Sequence, residues 1–174
     1  MRAVESRYSA EHHMASVNLI FDNEQTAYLR ELSEKMNLDF GEFIPHATLI
    51  NVTEQDIPRL KLAAAALPSL DKLVLDGVNF LPDEAGNCVW VELRIQKTSW
   101  MIEVRRKLLE ILDDIHPGLD IDGFRPHITL GIVEAGTLGD VDMSAIPRQL
   151  PVITKPRAAA CYNGMHGKVV EVVE

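Results

Sequence analysis

The chain has 174 residues, 17 Lys and Arg against 26 Asp and Glu, a formal net charge of −9, 47% apolar residues and two cysteines. That composition is globular, with length enough to bury a sizeable core, and it excludes a transmembrane helix, a secretory signal in residues 1–14 and a disulfide-stapled fold. A reducing cytoplasm is therefore expected, and the acidic balance argues against coating long nucleic acid by charge, though not against a small nucleotide in a local pocket.

Residues 1–14 read as a flexible leader. Residues 15–21 (ASVNLIF) read as a buried or half-buried strand. Asp22 or Asn23 then starts a helix to about Met36, with Tyr28, Leu29, Leu32 and Met36 at the 3.6 period. A second strand is expected over 43–52. Thr53 or Asp56 opens another helix, with Pro58 in its first turn and Leu60, Ala63, Ala64 and Leu67 as its apolar stripe. Segments 70–81 and 88–95 read as two strands of a hairpin around the PDEAGN turn.

Thr98 or Ser99 opens the clearest helix, in which Met101, Val104, Leu108, Ile111, Leu112 and Ile115 share a face. A strand over 124–133 follows. Residues 134–151 read as irregular, and 157–163 with 168–173 as a final hairpin. The expected order is β-α-β-α-β-β-α-β-β-β. No linker-like stretch divides it, so residues 15–174 are expected to form one bilobal domain.

One short stretch occurs twice. Phe43-Ile44-Pro45-His46-Ala47-Thr48-Leu49 and Phe124-Arg125-Pro126-His127-Ile128-Thr129-Leu130 agree at five of seven positions, 81 residues apart. Each copy ends a strand–helix–strand unit, which suggests an internal duplication with a pseudo-twofold axis. Strand alternation puts His46 and Thr48 on one face, and likewise His127 and Thr129, with Arg125 joining the second pair. The axis would bring two imidazoles and two hydroxyls into one cleft.

That set suits phosphodiester hydrolysis. One histidine activates water and the other protonates the leaving alkoxide, which is possible near neutrality because imidazole titrates near pH 6.5. Threonine hydroxyls can donate to the equatorial oxygens of the transition state. A single HxT would read as a structural histidine in a strand. Packing can explain a repeated Pro and Leu, but not His and Thr repeated together on one face.

PHATL and PHITL resemble the two HxTx motifs of the two-histidine (2H) phosphoesterase superfamily, in its bacterial branch of 2′-5′ RNA ligase-like and cyclic phosphodiesterase proteins. The likeness runs over nearly the whole chain from about Ala15. It implies an α+β fold of two pseudo-twofold-related lobes, each an antiparallel sheet flanked by helices, around a central catalytic cleft. It also implies metal-independent hydrolysis of a 2′,3′-cyclic phosphate or related 2′-5′ phosphodiester in a nucleotide or RNA end, without a cofactor. By motif position His46, Thr48, His127 and Thr129 match the catalytic residues. Which histidine is acid and which base stays open. RNA 2′-5′ ligation and non-catalytic binding of nucleotides or RNA ends are the alternative functions. The expected partner is the small substrate alone, with no long nucleic acid, no membrane and a monomeric chain.

Arg125 and Tyr162 are candidate substrate-binding residues: Arg125 suits a phosphate and equally a surface ion pair, while Tyr162, like Trp90 and Trp100, has the ring to stack on a base, although core packing is the commoner use of each. Trp90 and Trp100 read as core. Asp113, Asp114, His116, Asp120 and Asp122 match no metal-binding spacing, and 164–168 (GMHGK) lacks the spacing of a P-loop.

Overall fold

The computed structural model describes residues 14–83, 85–115, 121–164 and 168–173. The expected leader lies outside the described residues except for Met14, which precedes the first strand and hydrogen-bonds to the strands on either side. Its amide donates to the Val52 carbonyl at 3.2 Å, and its carbonyl accepts from the Asn163 amide at 3.2 Å.

Strand β1 (Ala15–Ile20) is buried along its whole length. Helix α1 (Asn23–Lys35) starts where Asp22 accepts from the Gln25 amide at 2.8 Å, and it buries Leu29, Leu32 and Ser33. Strand β2 is His46–Val52. Helix α2 (Ile57–Ala65) starts at Asp56, whose carboxylate accepts from the Arg59 amide at 3.2 Å, with Pro58 in the first turn where its missing N–H costs nothing. The β3 (Lys72–Pro82) and β4 (Cys88–Ile95) strands form the expected antiparallel hairpin. Helix α3 (Ser99–Ile111) is capped by Thr98, and β5 is His127–Glu134.

The 134–151 stretch contains two 3-10 turns, Ala135–Asp140 and Met143–Ala145, and it leads into β6 (Val152–Thr154), a strand not expected from the sequence. β6 is three residues long and, among the described residues, pairs with β3 at one edge of the sheet, so it carries too little pattern to read. β7 (Arg157–Asn163) and β8 (Val169–Val173) form the final hairpin. Both motif strands begin at their histidine, three residues later than expected. Pro45 and Pro126 have no amide to give the ladder, so regular pairing starts after them.

Every strand pair is antiparallel, in the order β6-β3-β4-β5-β2-β1-β7-β8. The order reads the same from either edge if each strand of one half replaces its counterpart in the other. β5 answers to β2, β4 to β1, β3 to β7 and β6 to β8. The duplication reaches local detail. Helices α1 and α3 each span 13 residues. The register of β1 on β2 shifts after Val17, leaving Leu49 as the extra residue, and that of β4 on β5 shifts after Val91, leaving Leu130 as the extra residue. A bulge therefore follows each HxT at the same place.

The halves meet at β2 and β5, through the pair Ala47 and Ile128. Both residues are buried in the main core, beside Leu49 and Leu130. The helices lock this joint by crossing it. Ser33 on α1 donates to the Leu130 carbonyl of β5 at 2.8 Å, and Arg105 on α3 donates to the Leu49 carbonyl of β2 at 2.5 Å. Each buried donor serves the bulge carbonyl of the other half, where a missing partner would leave a buried acceptor unsatisfied. Among the described residues no helix is long and apolar enough to cross a membrane.

Candidate active site

Burial alternates along both motif strands. Pro45, Ala47 and Leu49 are buried while Ile44, His46 and Thr48 are half-buried; Pro126, Ile128 and Leu130 are buried while Arg125, His127 and Thr129 are half-buried. His46, Thr48, His127 and Thr129 thus share the sheet face opposite the main core. The antiparallel register about Ala47 and Ile128 sets His46 across from Thr129 and Thr48 across from His127. The structure brings the four motif residues together as expected.

Both rings are oriented in the same way. His46 Nδ1 lies 2.7 Å from the Ile44 carbonyl, and His127 Nδ1 lies 2.8 Å from the Arg125 carbonyl. A carbonyl only accepts, so each Nδ1 carries a proton; that leaves Nε2 of His46 for the cleft, whereas Nε2 of His127 lies beside Glu92. Burial pulls the His46 imidazole down to about 4; the Ile44 carbonyl opposes this and the charge of His127 adds to it. His46 is therefore neutral at pH 7, with a free lone pair on Nε2.

The second half differs. Glu92 on β4 is fully buried beside Thr129, its register partner. Its carboxylate accepts from the Arg125 guanidinium at 2.8 Å and lies 3.3 Å from His127 Nε2. Sequence reading did not single out Glu92, yet a signal was there. It is a lone acid in the apolar run CVWVELRI, and a carboxylate in such a strand needs cationic company. In the first half the equivalent residue is Asn18, the register partner of Thr48. Asn18 Nδ2 donates to Ser16 Oγ at 2.6 Å, and Ser16 Oγ to Asn163 Oδ1 at 2.7 Å. A neutral chain thus stands where the other half has ions.

The surroundings repeat this contrast. Next to His46, Ile20, Ala159, Cys161 and Val169 form a small apolar cluster with Ile44 packed on it. Next to His127 stand Glu92, Arg125 and Arg94, the last being the register partner of His127 and bonded through Nε to Asp76 at 2.5 Å. Leading into His46, Gly41 adopts φ 65°, and Arg30 holds the carbonyls of Gly41 and Phe43. Lys168 Nζ stands 3.4 Å from the Phe43 ring centroid, and burial lowers its ammonium to about 8, with Asp39 opposing.

Arg125 lies on the expected face, with one guanidinium nitrogen held by Glu92. The structure does not bring Tyr162 to the cleft. Tyr162 pairs with Ala15, level with Val52 at the far end of β2, and packs against the main core. Strand alternation puts it on the other side of the sheet from His46. Trp90 is buried and Trp100 packs against the core. Of the acidic stretch, Asp114 takes a bidentate ion pair from Arg59, at 2.6 and 3.0 Å. His116, Asp120 and His166 lie outside the described residues.

No protein-family model and no curated protein matches the sequence. Solved structures do match the fold. A Thermus thermophilus protein, TT0787, is similar with TM-score 0.57 and 20% identity, over 92% of this chain and 94% of that one. A structure described as a phosphoesterase is similar with TM-score 0.51 and 14% identity, over 94% of this chain and 97% of that one. With its antiparallel eight-stranded sheet flanked by helices, the chain shares the α+β fold of these two structures.

Proposed function

We propose that this chain is a metal-independent phosphodiesterase acting on a 2′,3′-cyclic phosphate or a related 2′-5′ phosphodiester of a nucleotide or RNA end. The observation that carries this reading is the meeting of His46, Thr48, His127 and Thr129 on one face across the β2–β5 joint. The pair of imidazoles supplies a base for water and an acid for the leaving oxygen. The threonine hydroxyls supply donors for the phosphoryl oxygens, so the chain's own groups account for each charge that develops. A solved phosphoesterase with the same fold is consistent with it.

The net charge of −9 favours a small or terminal substrate over long RNA, because grip is confined to one cleft. All four residues come from one chain, so a monomer suffices. Cys88 and Cys161 are free thiols, in keeping with a cytoplasmic setting.

The test is a panel of nucleoside 2′,3′-cyclic phosphates and 2′-5′-linked dinucleotides, assayed in EDTA. Turnover in EDTA is the expected result, and analysis of the product identifies the 2′- or 3′-phosphate. No turnover across the panel sinks the enzyme reading. Affinity without product would then identify a binding module.

A further inference from the structure

The two halves of the site match in both HxT motifs and in the bulge that follows each, yet among the described residues His127 faces a carboxylate and His46 does not. Glu92 is fully buried, a position in which an anion is unfavourable unless cations meet it. Two do so, Arg125 at 2.8 Å and His127 Nε2 at 3.3 Å. His127 Nδ1 already donates to the Arg125 carbonyl at 2.8 Å. His127 Nε2 lies within ion-pair reach of Glu92 Oε1 rather than hydrogen-bonded to it, and a buried carboxylate at that distance favours the protonated ring, the imidazolium. Among the described residues His46 has no such partner, because Asn18 stands in the place equivalent to Glu92.

Other charged groups face His127 without reversing this. Arg94 on β4 is turned to Asp76 of β3. His46 on β2 is a further titratable neighbour. Lys97 and Arg105 lie over the ring of Phe124, a core residue.

We propose that Glu92 is the positioning residue that breaks the symmetry of the site, holding His127 as the imidazolium acid and leaving His46 as the base. The inference rests on the phosphodiesterase reading above and assigns direction within it. Water gives a proton to His46 Nε2 as its oxygen bonds to phosphorus. The bond from phosphorus to the leaving ester oxygen breaks, and His127 Nε2 delivers its proton to that oxygen. A phosphomonoester and a free hydroxyl result, and exchange with solvent returns each ring to its starting state. The leaving oxygen must therefore face the Arg125 side of the cleft. Glu92, Arg125 and His127 together carry one net positive charge, which complements the single negative charge of a phosphodiester.

The test is a proton NMR titration of the two ring signals, assigned with H46N and H127N, together with the pH dependence of kcat/KM. In the wild type His127 is expected to keep its proton to higher pH than His46. E92Q keeps the shape but removes the charge. It is expected to move the His127 midpoint and the basic limb of kcat/KM downward together, by about one pH unit or more. E92D is expected to recover part of that shift. Loss of packing alone would lower activity without moving the limb. A folded E92Q with both midpoints unmoved overturns the proposal, as does a wild type in which His46 holds its proton longer. If E92Q does not fold, the wild-type order of titration decides. If the wild type hydrolyses no ester, the phosphodiesterase reading falls, while the titrations still test the effect of Glu92 on His127.

Discussion

Asn18 and Glu92 occupy equivalent places in the two halves of the sheet, each paired across its strand with the threonine of an HxT motif, Thr48 and Thr129. One is neutral and bonded to Ser16, and the other is an anion between Arg125 and His127. A duplicated frame thus carries two unlike electrostatic environments, and several consequences can be measured.

Asn18→Asp would place a second carboxylate in a buried position where, among the described residues, the side chain's partner is the neutral Ser16. A buried charge without a partner typically costs about 3 kcal/mol or more, so this variant is expected to lose stability at pH 7. The Asp would keep its proton more tightly in the folded chain than in the unfolded one. The penalty should therefore shrink as pH falls toward 4, the ordinary carboxylate range. Denaturant melts of both proteins at pH 7 and pH 4.5 check this; an equal penalty at both values would contradict it.

His46 has the opposite linkage. Its folded value near 4 lies below the ordinary 6.5, so the unfolded chain binds more protons between those values. Its contribution to stability is full above about pH 6.5 and is lost as pH falls toward 4. The loss should be on the order of 1–2 kcal/mol, allowing for partial exposure of the ring. Urea midpoints across that range should fall less steeply in His46→Asn than in the wild type.

The motif hydroxyls and imidazoles should respond differently to substitution. His46→Ala or His127→Ala is expected to lower turnover by at least about 10²-fold while the circular dichroism spectrum is kept. Thr48→Val removes a phosphoryl donor and should cost on the order of 10²–10³ in rate. Thr48→Ser keeps the hydroxyl and should cost far less. Equal losses in the serine and valine variants would show that the methyl group, not the hydroxyl, matters.

Ser33→Ala strips the Leu130 carbonyl of its cross-joint donor. The buried acceptor should cost about 1–3 kcal/mol. Because Leu130 directly follows Thr129, turnover should also fall, although Ser33 sits on the helical side of the sheet. A melt and a steady-state assay on the same preparation measure both effects.

Much of this was legible in the chain. Asp22, Asp56 and Thr98 mark helix starts because their short polar side chains meet free amides, and all three do so here. Strand β4 matches its expected bounds, since turn residues flank a continuous apolar run. The four motif residues could be placed on one face because strand alternation is local and the repeat occurs twice. Tyr162 could not be placed, because which side of the sheet it faces depends on the pairing of β7 with β1. β6 exists only through its pairing with β3.

Periodicity, capping and repetition are properties of neighbours along the chain, and they carried the elements, the duplication and the candidate His and Thr pairs. The joining of β2 to β5, the crossing of α1 and α3 to serve each other's half, and the ion group around Glu92 arise between residues far apart in sequence. Arg125 and Glu92 are 33 positions apart, and Ser33 and Leu130 are 97 apart. A carboxylate's effect on an imidazole depends on distance and burial, and neither exists until the chain has folded.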